Sequence, residues 1–320
     1  MSASLSSRSP SDSSPDPQIY TCVILGLLIP GVGLTTILLA LYGYAAWNPV
    51  SRRYLDRVSF RLLVYALGAN LLFGVLVIPE SFTGHPRQWQ CALLSFICNL
   101  SLMVSAGMFF CIGLNLPLVI VYSVNGQKME KYYITGIFFI SFICGLAPYA
   151  SGNYGWNAAT HSCWYRSTDS AAMLYWLIST QTFWIMFFAM GEVCAFLRIV
   201  LYLFQYQLDM RRWATDNQTS CSSDVSRHPV FSLRMLRNVI LRIGLYPLVS
   251  CTLTIFTAPI DLYAYRNYTE HPGSAKLDWR LDIAARSIYS GRPLIYGLLA
   301  ATDPSFIRAL RARCVTPRTS

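Results

Sequence analysis

Seven long apolar runs, separated by short polar or basic segments, occupy most of the chain. They cover approximately Ile19 to Ala46, Phe60 to Ile78, Trp89 to Ser123, Tyr132 to Ala150, Ala171 to Gln205, Val239 to Leu262 and Leu281 to Ala301. A helix needs about 20 apolar residues to cross roughly 30 Å of hydrocarbon, so each run reads as a membrane-spanning helix. The third and fifth exceed that length and are expected to tilt or to project from the bilayer. The predicted fold is an all-α integral membrane protein, a seven-transmembrane helix bundle over residues 19–301. A polar tail rich in Ser, Pro and Asp precedes it at 1–18, and a basic tail follows at 302–320. The first tail has no apolar core of its own, so the first run is expected to serve as an uncleaved insertion signal.

The pattern changes after the last run. Pro293 lies inside that run, where it removes one backbone donor and is expected to kink or loosen the helix. Beyond it, Asp303 can cap a new helix and Pro304 suits a first turn. Phe306, Ile307, Leu310 and Cys314 then recur at helical spacing, with Arg308, Arg311 and Arg313 on other faces. This predicts an amphipathic helix lying on the membrane surface. Cys314 at its end is a candidate for lipidation, the alternative being an unmodified thiol.

Composition strengthens the membrane assignment: 54% of residues are hydrophobic and only 12% are charged. Charge then orients the bundle. The segments after the first, third and fifth runs, and the C-terminal tail, carry Arg52, Arg53, Arg57, Lys128, Lys131, Arg211, Arg212, Arg234, Arg237 and the tail arginines. The other side holds far fewer basic residues. Basic loops stay cytoplasmic, so a multi-pass plasma-membrane protein with an extracellular N-terminus is expected. The net charge of +10 follows from this bias, and no nucleic-acid partner is expected. On this topology Asn267-Tyr268-Thr269 is an outer glycosylation acceptor, whereas Asn217-Gln218-Thr219 lies inside and should stay bare. The stretch 210–228, rich in Ser and Thr, reads as a solvated inner linker or a phosphorylation segment.

Most of the ten cysteines, Cys22, Cys98, Cys111, Cys144, Cys194 and Cys251, lie within apolar runs and read as small apolar fillers. Cys91 and Cys163 differ, because both fall on the outer, oxidising side. A bridge between them would pin the loop after the fourth run over the bundle mouth; the alternative is two free thiols on one side.

Ionisable groups inside the runs need partners, since a charge at mid-membrane costs about 2.5 to 3.5 kcal/mol on insertion scales. Glu192, Arg198, Arg242, Arg286 and Arg292 are such groups. Glu192 is expected to pair with a basic group such as Arg292 or Arg242, forming an inner latch. Arg198 and Arg242 are instead expected to reach the headgroups. Trp164, Trp184, Asp261, Asp282, Arg286 and Tyr289 gather near the outer ends and are candidate ligand-binding residues. The aromatic ones equally suit an interfacial belt. Asp282 and Arg286, four apart, either pair on one helix face or present a polar patch. Lys128, Lys131 and Lys276 all fall in loops, which argues against a retinal Schiff base. All four histidines also fall in loops, so neither a metal site, a catalytic residue nor a cofactor is expected, and the chain does not read as an enzyme. A transporter or channel-like protein is the alternative, although no repeated halves are evident.

Together these parts resemble the G protein-coupled receptor superfamily, from the first run to Cys314. Arg292-Pro293-Leu294-Ile295-Tyr296 is similar to the Asn-Pro-x-x-Tyr segment of rhodopsin-like receptors, followed by Asp303-Pro304-Ser305-Phe306 where those begin a surface helix. Cys91 and Cys163 occupy the places of the family's outer disulfide. Gly113-Leu114-Asn115-Leu116-Pro117 stands where an acidic-Arg-Tyr triplet would be, and Arg242 to Pro247 replaces Cys-Trp-x-Pro. That departure, with Cys163-Trp164, is closer to fungal glucose-sensing and cAMP-receptor-like proteins. The resemblance implies a receptor for an extracellular small molecule or peptide ligand, with a heterotrimeric G protein as cytoplasmic partner. For the activation switch such a receptor needs, the sequence itself offers Asn115, Pro117, Glu192, Pro247, Arg292, Pro293 and Tyr296, with Pro117, Pro247 and Pro293 interrupting their helices or, singly, serving as packing features.

Overall fold

A computed structural model describes residues 17–47, 57–82, 87–157, 162–166, 170–216, 244–263, 266, 279–303 and 306–307. Among them the protein is a helical bundle with one two-stranded hairpin. The elements are α1 (Pro17–Ala46), α2 (Val58–Phe82), α3 (Gln88–Ile120), α4 (Gly126–Ala150), β1 (Tyr154–Asn157) and β2 (Ser162–Tyr165). There follow α5 (Ser170–Leu177), a π-helical turn (Ile178–Thr182), α6 (Phe183–Asp216), α7 (Gly244–Tyr263) and α8 (Trp279–Ala301). The segment α5, π turn and α6 forms one rod.

Six of the described helices are long and apolar enough to cross a membrane: α1 to α4, the α5–α6 rod and α7. The last apolar run is also a helix, α8, with 23 residues. It carries Arg280, Asp282, Arg286 and Arg292, which makes it the least apolar of the long helices. Large apolar side chains such as Ile37, Phe139, Phe183, Met190, Phe204 and Phe256 point away from the bundle, where a bilayer rather than protein would cover them.

α3 is the central helix: 72% of its apolar window is buried, against 28 to 39% in the other five. Its sequence permits this, because Ser95, Ser101, Ser105, Ala106, Gly107 and Gly113 are all small and let neighbours approach closely. A Cβ on Gly113 would sit 3.3 Å from the Pro247 ring of α7, and one on Gly107 would meet Ile137 of α4. At the α1–α8 crossing, a Cβ on Gly31 would lie 2.8 Å from the backbone nitrogen of Leu294. Backbone cannot yield as a side chain can, so Gly31→Ala is expected to lower the thermal midpoint by the equivalent of about 1 to 3 kcal/mol. Gly33→Ala, whose Cβ meets nothing within 4 Å, should not lower it.

Several boundaries and one helical irregularity differ from the sequence reading, the largest difference being α6, which runs to Asp216 rather than Gln205 through a polar stretch that hydropathy does not mark. α4 begins at Gly126 rather than near Tyr132, because the Asn125 side chain caps it by accepting from the Gln127 N–H at 3.1 Å. The first turns carry Gln127, Lys128, Glu130 and Lys131, so their polarity hides the helix from a hydropathy reading. α3 ends at Ile120 instead of Ser123, and Ser123 takes a positive φ of 52°. Pro117 and Pro293 lie within unbroken helical backbone, and Pro247 lies in the first described turn of α7. One missing N–H leaves most of a helix's hydrogen bonds intact, and packing restores the remainder. The Thr35 hydroxyl of α1 donates to the Pro293 carbonyl at 3.1 Å. The irregularity falls at the π turn in the fifth span, where the sequence gives no proline.

Candidate functional site

A line of buried polar groups runs along the contact between α6, α7 and α8. At the hairpin end, the Tyr289 hydroxyl of α8 donates to Asp261 of α7 at 2.6 Å. One turn along α8, the Arg292 guanidinium sits 4.5 Å from the centroid of the Tyr289 ring and donates to the Thr257 hydroxyl at 3.4 Å. Thr257 can accept because its own proton goes to the Leu253 carbonyl at 2.9 Å. Further along, Ser250 of α7 donates to Glu192 Oε1 of α6 at 3.3 Å, and the Tyr296 hydroxyl meets the same serine. The Tyr296 ring lies 4.3 Å from Phe109 of α3. At the far end, the Tyr246 hydroxyl donates to the Leu299 carbonyl at 3.2 Å and approaches Asp303 Oδ2 at 3.4 Å.

Helical spacing explains the alignment. Tyr246, Ser250, Thr254, Thr257 and Asp261 recur every three or four residues, as do Tyr289, Arg292 and Tyr296, so each set forms a single stripe. Asp261 and Tyr246 are about 22 Å apart along α7 at 1.5 Å per residue, a large part of a membrane's thickness.

Glu192 and Arg292 both lie in this line, at 2% and 5% exposure. The expected direct latch is not formed: among the described residues no ion pair joins them. Arg292 is engaged by Thr257 and the Tyr289 ring, while Glu192 takes a neutral hydroxyl. Their remaining atoms, Glu192 Oε2 and Arg292 Nε, are buried without a hydrogen-bond partner. Arg242, the other proposed partner, lies outside the described residues.

The hairpin closes one end of the bundle. Its register pairs Tyr154 with Tyr165 and Trp156 with Cys163. Cys163 is bonded to Cys91 in the first turn of α3, with Cα atoms 5.1 Å apart, as the sequence reading expected. A second anchor lies two turns deeper. The fully buried Asn99 of α3 donates to the Tyr154 hydroxyl at 2.7 Å and to that of Tyr165 at 3.3 Å. Tyr165 also shares a hydrogen bond with Thr180 in the π turn at 2.8 Å. Burial pushes both phenols upward, Tyr165 to about 12. An unfolded tyrosine titrates near 10, so the anchor's contribution is complete below about pH 10 and declines as pH rises toward 12. Melting curves recorded from pH 8 to 12 should show that decline, and Tyr165→Phe should make it shallower while Tyr154 keeps its share.

The predicted ligand residues divide into three groups. Asp261 and Tyr289 are bonded together, and Trp164 packs with Tyr289 against the cluster of Phe73, Cys98 and Leu102. Arg286 approaches the Ser162 hydroxyl of β2 at 3.4 Å, tying α8 to the hairpin. Trp184 lies apart, in an aromatic group with Phe183, Phe187 and Phe188 on α6. The Asp282 side chain, Asn267 and Cys314 lie outside the described residues. Of the switch residues, Glu192, Arg292 and Tyr296 join the polar line and Pro247 packs against it through Gly113. Pro293 faces α1 and α2 near Gly31 and Gly74, while Asn115 and Pro117 are buried toward the opposite end of α3, Asn115 beside Gly126.

Several polar residues escaped the sequence reading: Asn70, which donates to Ser105 at 2.7 Å, and Asn99, Thr180, Ser250 and Thr257. Small uncharged polar residues are common in transmembrane helices, and only their stacking at helical spacing could have revealed them. Two of the cysteines read as fillers, Cys22 and Cys194, are exposed on the bundle's outer surface. No protein-family model matches the chain, and no curated protein matches it.

Proposed function

We propose that the chain is a seven-transmembrane receptor, with its N-terminus outside and α8 as the seventh span, that passes an extracellular cue to a heterotrimeric G protein. The observation that carries this reading is the buried polar line from Asp261 to Asp303. It begins beneath a disulfide-tethered hairpin and ends where α7 and α8 meet the start of the following segment. A ligand that competes for Asp261, Tyr289 or Arg286 would change how α7 and α8 hold one another. Underpartnered groups deeper in the line give that change somewhere to propagate, because they have a second arrangement available.

Other features fit the same reading. The hairpin leaves Asp261, Arg286, Tyr289 and Trp164 as a polar and aromatic patch suited to a small molecule or a peptide end. Phe306 is buried against Phe60, and the Ile307 N–H donates to the Asp303 carbonyl, so the helical backbone at 306–307 packs on the bundle. Arg61 and Glu130 form an ion pair between α2 and α4 at this end. A lipid-anchored surface helix ending at Cys314 belongs to the same proposal.

A transporter is the second reading, because buried charges and the π turn would also suit a substrate path. Cells expressing the chain with a G protein reporter, screened against small metabolites and short peptides, separate the two. The receptor reading predicts a concentration-dependent reporter signal for at least one ligand, without uptake of that ligand. Tyr289→Phe should move that response to higher ligand concentration, about tenfold or more, at unchanged surface expression. Uptake without a reporter signal would favour the transporter.

A further inference from the structure

The Glu192 carboxyl is almost wholly enclosed between helices, and its surroundings do not suit a carboxylate anion. Oε1 receives one hydroxyl donor at 3.3 Å and Oε2 receives none. The titratable and charged groups that sense it come from every helix it faces: Cys111 on α3, Cys251 on α7, and Arg292 and Tyr296 on α8. Arg292 alone is a cation, and it is turned toward Thr257 and the Tyr289 ring, whose hydroxyl reaches Asp261. The guanidinium's direct contacts therefore lie on the hairpin side, and it reaches Glu192 only through its field, without contact. A buried carboxyl that lacks both a direct cation and a full set of donors is lower in free energy as the neutral acid.

We infer that Glu192 is a proton-binding site. In the arrangement seen here it is the neutral acid, with Ser250 donating to its carbonyl oxygen and the proton on Oε2. A repacking of α8 against α6 that brings Arg292 onto Glu192 favours the anion. In that step the Oε2–H bond breaks, the proton goes to solvent, and the electron pair stays on the carboxylate now facing the guanidinium. No electrons are transferred and no co-reactant is needed. The chain would thus bind one proton in exchange for one Glu192–Arg292 ion pair. Lower pH favours the separated arrangement and higher pH the paired one, by up to tenfold in the population ratio per pH unit for one exchanged proton. This property requires no G protein and stands or falls apart from the receptor reading.

Infrared difference spectroscopy on the full chain in lipid nanodiscs tests it. Wild-type protein at neutral pH should show a protonated-carboxyl C=O stretch that Glu192→Gln removes. Ser250→Ala should move that band to higher frequency, since it deletes the hydrogen bond to the carbonyl without touching the acid. Identical carboxyl spectra for wild type and Glu192→Gln overturn the proposal. So does a band that Ser250→Ala leaves unmoved, and this second variant decides the matter if Glu192→Gln fails to fold.

Discussion

Replacing Cys91 and Cys163 together by serine is expected to destabilise the protein by about 2 to 4 kcal/mol, read as a lower thermal midpoint in non-reducing detergent. The bridge closes a span of 72 residues, for which chain entropy alone gives roughly 4 kcal/mol. Helices that persist in a membrane's unfolded state reduce that figure. The hairpin should nonetheless remain seated, because Asn99 holds both tyrosine hydroxyls independently of the sulfurs. Asn99→Leu would strand those buried hydroxyls at about 1 to 3 kcal/mol each where no other partner takes over. Tyr165 keeps Thr180 and Tyr154 keeps its bond to the Tyr165 hydroxyl, so the loss should fall at the low end of that range. Combining the cysteine and Asn99 changes should cost at least the sum of the two, since either anchor alone keeps the hairpin seated and only the double change frees it.

Arg292→Met is the second large effect, and it should separate function from folding. The guanidinium is buried and has no direct anionic partner, so replacing it with an apolar side chain of similar length removes a desolvated charge together with its bond to Thr257. Those contributions oppose one another, and stability should change by no more than about 1 to 2 kcal/mol. Signalling should fall at least tenfold, because the variant retains no cation to exchange between the Tyr289 side and Glu192. Arg292→Lys keeps the charge but loses the planar stacking on Tyr289, and an intermediate response is expected. A concentration-response series across wild type, Arg292→Lys and Arg292→Met, with melting curves on the same preparations, measures both quantities.

The apolar runs disclosed the helices themselves, to within a few residues at most ends, because about 20 uninterrupted apolar residues leave little else for a backbone to do in hydrocarbon. The Cys91–Cys163 bridge was legible for a similar reason: among cysteines mostly inside helices, these two share a side. What the sequence hid depends on three-dimensional stacking. Arg292 reads as a charge in need of a carboxylate, and Glu192 as the obvious answer. The structure instead gives Arg292 a hydroxyl and an aromatic face, which hydropathy does not distinguish from packing residues. The π turn at Ile178–Thr182 is invisible for another reason: it presents Thr180 to Tyr165, and that partner comes from a hairpin fixed to a different helix.

Nucleotide exchange by purified heterotrimeric G protein, measured with and without the chain in lipid nanodiscs, tests the central claim most directly. The receptor account predicts exchange above the trimer's intrinsic rate when an activating ligand is present, with the stimulation lost in Arg292→Met. An exchange rate that stays at the intrinsic value for every G protein class, with a ligand bound to the folded chain, would contradict it.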